Sequence, residues 1–239
     1  NSSNMKTKSL FFAIFILSIF LVNPVSAEDE EREMPSFSEI ALRIPGKLYI
    51  EQGNNQSVEI VAKSSTLKDI ITEVKDRKLI IKFPNKRVFW KNFEPGKIEI
   101  FITVPEIDGL SVSGSGDIIA ENEIKTRILD LGVSGSGDIV LEKLDAERVK
   151  AAISGSGDII IKDGGIADDF SVSVSGSGDV KAGGFEVRDV VVRISGSGNS
   201  TVNSNGSVKA RVAGSGSVYY KGNPSIDSSV AGSGRVKKL

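Results

Sequence analysis

A pentapeptide that returns seven times constrains this chain more than anything else in it. Ser-Gly-Ser-Gly-Asp stands at Ser113–Asp117, Ser134–Asp138, Ser154–Asp158 and Ser175–Asp179. Altered copies follow at Ser195–Asn199, Ala213–Ser217 and Ala231–Arg235. Successive copies are offset by 21, 20, 21, 20, 18 and 18 residues. A near-constant period of this length signals one supersecondary unit stacked on itself.

The residues around each copy say which unit. Leu131, Val133, Gly135, Gly137, Ile139 and Leu141 share one parity of an extended chain, and Val149, Ala151, Ile153, Gly155, Gly157, Ile159 and Ile161 repeat the pattern one period later. Alternation of period two with β-branched residues is a strand signal, and no comparable stretch has a 3.6-residue period. A period near 20 residues holds several short strands but no useful helix, which fits the coils of a solenoid. A β-sandwich also gives regular strands, yet it does not need the same turn at every period. The expected fold is therefore all-β, a right-handed parallel β-helix (β-solenoid) with coils of 18–21 residues.

The same parity places Ser, Ser and Asp of each repeat outward and both glycines inward. An inward glycine implies close approach of the opposite wall, or a corner that needs positive φ. Stacking then generates outward columns spaced by the strand separation of ~4.8 Å. One column reads Asp117, Asp138, Asp158 and Asp179, continuing as Asn199, Ser217 and Arg235. Residues 37–104 alternate in the same way without the Gly-Ser-Gly signature, as in Leu48/Ile50, Val58/Ile60, Leu79/Ile81/Phe83 and Ile98/Ile100/Ile102/Val104. Lys75–Lys78 is expected to turn a hairpin, with one amphipathic helical turn over Leu67, Ile70, Ile71 and Val74 as the alternative.

The amino-terminal segment reads as an address. Lys6 and Lys8 precede an apolar run from Leu10 to Val22, and Val25-Ser26-Ala27 ends it in small residues. This is the pattern of a secretory signal peptide cleaved after Ala27, and the run is shorter than the ~20 residues of a spanning helix. Residues 1–4 then precede the start as an upstream remnant, and no membrane span is expected after cleavage. Losing Lys6 and Lys8 takes the net charge from −1 to −3, which leaves no basic footprint for nucleic acid. With Cys and His both at zero, a lipoprotein thioether, disulfides, cysteine nucleophiles, histidine bases and thiolate or imidazole zinc sites are excluded. The expected location is secreted or periplasmic. Residues 28–36 are expected to be an acidic, flexible lead-in. A single domain over 37–239 follows, with 37–104 as amino-terminal coils and cap and 105–239 as the repeat coils.

The opening FSEIALRIPGKLYIEQG, the stretch ITEVKDRKLIIKF and the recurrent SGSGDI together resemble the putative auto-transporter adhesin, head GIN domain family, over approximately residues 37–236. The resemblance implies a parallel β-helical fold, an extracytoplasmic location and an adhesin-like role in bacterial envelope proteins. It supplies no catalytic residues.

Two readings of the Asp column stand open. Four carboxylates at this spacing repel by roughly 0.9 kcal/mol per pair even in water, and a cation such as Ca²⁺ between Asp117, Asp138, Asp158 and Asp179 would relieve that. Alternatively each Asp accepts a backbone N–H of its own turn, a role that Asn199 and Ser217 can also fill. Phe89, Trp90 and Phe93 either cover the apolar end of the stack or form a patch for a partner or glycan ring. Carboxylates spread evenly along a ladder do not converge as a polysaccharide-processing active site requires. The sequence thus points to a non-enzymatic surface binding module without a cofactor, for a glycan, an envelope component or a protein. A β-helix enzyme and a purely structural envelope protein are the alternatives.

Overall fold

The computed structural model describes residues 27–84 and 94–239. Strands stack in parallel register into a β-solenoid, and the repeats lie directly over one another. Strands β8 (Gly109–Gly114), β9 (Asp117–Gly135) and β10 (Ile139–Gly155) pair so that Ser113, Ser134 and Ser154 occupy successive rungs. The stack continues through β11 (Ile159–Gly164), β12 (Ile166–Gly176), β13 (Val180–Gly196) and β14 (Ser200–Gly214). It ends in β15 (Val218–Lys221), β16 (Ser225–Gly232) and β17 (Val236–Lys238).

Alternation builds the core. Leu48, Ile118, Ile139, Ile159 and Val180 form one buried column, and Leu131, Ala151, Val172 and Val192 another. Register shifts after Leu141 and after Ala182 let long strands turn from one wall to the next, as β-bulges do. Inside, Phe170 and Phe185 meet edge-to-face at 5.9 Å, and Gly164 leaves the room that the Phe185 ring fills.

The two glycines of the repeat do different jobs. The first of each copy turns the corner at positive φ, from 111° at Gly114 to 144° at Gly155. The second is buried against the same glycine of the preceding coil: a Cβ on Gly157 would lie 2.0 Å from the Gly137 carbonyl oxygen. The close approach is therefore coil on coil, not wall on wall.

An antiparallel cap closes the amino-terminal end. Strand β3 (Lys47–Gln52) pairs with β9 and with β7 (Glu99–Val104), which pairs antiparallel with β4 (Ser57–Lys63). On another wall, β2 (Glu39–Leu42) lies between β8 and β6 (Lys78–Lys82). The expected hairpin joins β5 (Ile71–Lys75) to β6, with Asp76 and Arg77 both at positive φ as a two-residue primed turn requires. A single helical turn, α1 (Ser64–Leu67), precedes it and buries Leu67.

The acidic segment 28–36, expected as a flexible lead-in, is instead built into this cap. Strand β1 (Ala27–Glu31) pairs antiparallel with β4. Arg32 donates to the carbonyls of Ile70 and Leu67 at 2.8 and 3.0 Å, to Thr72 Oγ1 at 3.1 Å, and pairs with Glu30. Backbone pairing needs no apolar side chains, and the carboxylates guard an edge that would otherwise recruit another strand.

Candidate functional site

Two outward features of one wall are the candidates, and they lie side by side. The first is the Asp column. Asp117 Oδ1 accepts the backbone N–H of Asp138 at 3.1 Å, Asp138 that of Asp158 at 2.7 Å, and Asp158 that of Asp179 at 2.8 Å. Asp179 accepts from Asn199 at 2.7 Å, Asn199 Oδ1 from Ser217 at 3.0 Å, and Ser217 Oγ from Arg235 at 3.3 Å. The acceptor thus serves the next coil rather than its own turn, and carboxylate, amide and hydroxyl are interchangeable in the role. The second oxygen of Asp158 meets Lys181 Nζ at 2.6 Å, a hydrogen bond that raises the lysine pKa. Among the described residues, no three carboxylates gather where they could hold one metal ion.

The second feature was not singled out in the sequence. Two residues beyond each rung of the Asp column, the outward side chains are Tyr49, Ile119, Val140 and Ile160, and Phe101 precedes them. They form one continuous apolar stripe across five paired strands. Tyr49 and Phe101 stack with ring centroids 5.3 Å apart and planes 11° apart. The stripe runs from Glu31 and Glu59 at the cap end to Lys181 at the other. A trough of about 570 Å³ beside Phe101, lined by Glu31, Met34, Gln56 and Glu59 among others, opens at its cap end. The third residue after each repeat's second glycine, Ile, Val and Ile in the first three copies, was the legible trace of this stripe. Phe101 and Tyr49 join it through pairings of unequal sequence separation and left no such trace.

Phe89, Trp90 and Phe93 lie outside the described residues. The serines at the first and third repeat positions, such as Ser134 and Ser136, are exposed in two parallel columns along the corner.

Residues 36–224 match the family model described as putative auto-transporter adhesin, head GIN domain. The chain belongs to that family. The GIN-domain fold recurs in the crystal structure of a putative adhesin from Bacteroides fragilis NCTC 9343, with a TM-score of 0.84 and 27% identity over 90% of this chain and 97% of that one. A putative adhesin from Parabacteroides distasonis ATCC 8503 superposes with a TM-score of 0.71 and 25% identity, over 90% and 98% of the two chains. A putative lipid binding protein of the same organism shares the fold at a TM-score of 0.73 and 24% identity, over 90% and 97%. No curated protein matches the sequence. Among the described residues of this GIN domain, no helix is long and apolar enough to cross a membrane.

Proposed function

We propose that this GIN domain is a non-enzymatic, adhesin-like binding module of the bacterial envelope, exported by its amino-terminal signal and cleaved after Ala27. One observation carries the reading. The carboxylates of the repeat, which stand evenly along the wall instead of converging, are tied into the coil-to-coil ladder, where Asp138, Asp158 and Asp179 each meet the rung that follows. What remains outward is a long regular wall, suited to contact over an area rather than to turnover in a cleft. The family and its adhesin relatives support the same role. The ligand is an envelope component, a glycan or a protein.

Sedimentation of purified residues 28–239 with insoluble polysaccharides and envelope preparations tests this. Specific pelleting without release of reducing sugar is expected. Sugar release would replace the binding module with an enzyme, and absence of pelleting with every preparation would leave a structural role.

A further inference from the structure

Resting on the binding-module reading, the contact surface can be narrowed to one stripe and one kind of partner. Phe101, Tyr49, Ile119, Val140 and Ile160 present five apolar side chains over ~19 Å, four strand spacings. Phe101 is 40% exposed, and Tyr49, Ile119, Val140 and Ile160 are half-buried. Two residues to one side along the same strands stand Asp117, Asp138 and Asp158, and two residues to the other stand the exposed Glu51, Glu121 and Glu142. Lysines intervene at Lys47 and Lys162; Lys162 is paired with Glu142 at 2.7 Å, and Asp158 with Lys181 at 2.6 Å. The surface is an apolar strip between two mostly acidic rims.

Its dimensions select the occupant. The rims are about 13 Å apart, four residues of extended chain, and an α-helix with its side chains is about 10–12 Å across. A stripe of ~19 Å equals about 13 helical residues, and the 5.4 Å helical pitch brings roughly one turn over each strand. Other occupants fit worse. The Tyr49 and Phe101 rings stack on each other, so one face of each is already used and less aromatic surface is left for a sugar ring. Carboxylate rims repel an anionic lipid surface or an acidic polysaccharide. A second copy laid stripe on stripe would set mostly acidic rims against mostly acidic rims.

We propose that this stripe docks a cationic amphipathic α-helix of a partner protein, with the helix's apolar face on Phe101 to Ile160 and its Lys or Arg side chains on the two rims.

The test uses the chain of residues 28–239 and a synthetic 14-residue peptide with Leu at i, i+3, i+4 spacing and Lys on both flanks. A matched peptide with Glu for Lys and vesicles of phosphatidylglycerol are the comparison probes. The Lys peptide should bind with micromolar affinity, weaken as salt rises and gain helical circular dichroism on binding. The double variant Ile119→Thr/Val140→Thr keeps β-branched residues in the strands and the charge unchanged, and it should bind at least tenfold more weakly with an unchanged melting curve. Glu121→Gln/Glu142→Gln should flatten the salt dependence. No binding of the Lys peptide, equal binding of the Glu peptide, or binding that the double variant leaves intact would overturn the assignment. So would vesicle binding, or a self-association in sedimentation, that the double variant abolishes. Applying the double variant in the envelope pelleting assay separates the two readings: pelleting retained by the variant leaves a binding module whose contact lies elsewhere.

Discussion

At Gly157 even a methyl group has no room. A Cβ there would sit 2.0 Å from the Gly137 carbonyl oxygen and 2.9 Å from its carbon, and both belong to backbone. Relief would require the two coils to separate where Gly157 N–H donates to Gly135 O at 3.1 Å and Asp158 N–H to Asp138 Oδ1 at 2.7 Å. Gly114 is the contrasting case: nothing lies within 4 Å of its Cβ position, and only its φ of 111° disfavours a side chain. Gly114→Ala should therefore cost about 1–2 kcal/mol, the strain of a sparsely populated backbone region. Gly157→Ala should cost more than about 4 kcal/mol, because rungs must be broken rather than bent. Urea midpoints of the two variants measure the difference. Equal losses would mean that the coils part at Gly157 at little cost and that the close approach is not what selects glycine there.

At the scale of a coil, the Asp column works as a staple between neighbours. Asp158→Asn keeps an amide oxygen for the Asp179 N–H, as Asn199 already does for Ser217, and loses the attraction to Lys181. That pair is partly exposed, so the loss should stay below about 1 kcal/mol. Its pH dependence has a definite sign. The hydrogen bond to Asp158 raises the Lys181 pKa above its ordinary 10.5, against some desolvation. The stabilisation is therefore complete below pH 10.5 and lost as the pH climbs through the raised value. The stability gap between wild type and Asp158→Asn should accordingly be present at pH 7 and close in strongly alkaline buffer. A gap that persists there would assign it to the ladder hydrogen bond instead. The coils themselves were legible because an identical turn recurs beside alternating β-branched residues. The partner of each Asp was not, since a rung in the next coil and a residue in the same turn leave the same spacing. Strand β1 was hidden for another reason: its residues Glu28, Asp29, Glu30 and Glu31 pair through backbone alone and bury no apolar stripe that a sequence pattern could reveal.

Over the whole molecule the two ends of the stack differ. The amino-terminal end is closed by β1, β4, α1 and the β5–β6 hairpin over Leu67, Ile70 and Phe83. Toward the other end the interior thins. Ser200 and Ser204 replace the Ile and Val of earlier coils, and the buried Ser200 hydroxyl has no partner among the described residues. In β16 every residue is exposed, with Ile226 and Val230 at 39% and 38%. Solenoid stability is approximately a sum over coils and their nearest-neighbour interfaces, so opening should begin where both terms are smallest. Native-state hydrogen exchange should find the β16 and β17 amides least protected, β14 and β15 intermediate, and β9 to β13 most protected. Uniform protection along the stack would mean that the coils open as one unit. The gradient bears on recognition, because the apolar stripe from Phe101 to Ile160 lies on β7, β3, β9, β10 and β11, away from the thinning end. A helix docked there would meet a wall already ordered, with little conformational entropy left to lose on binding.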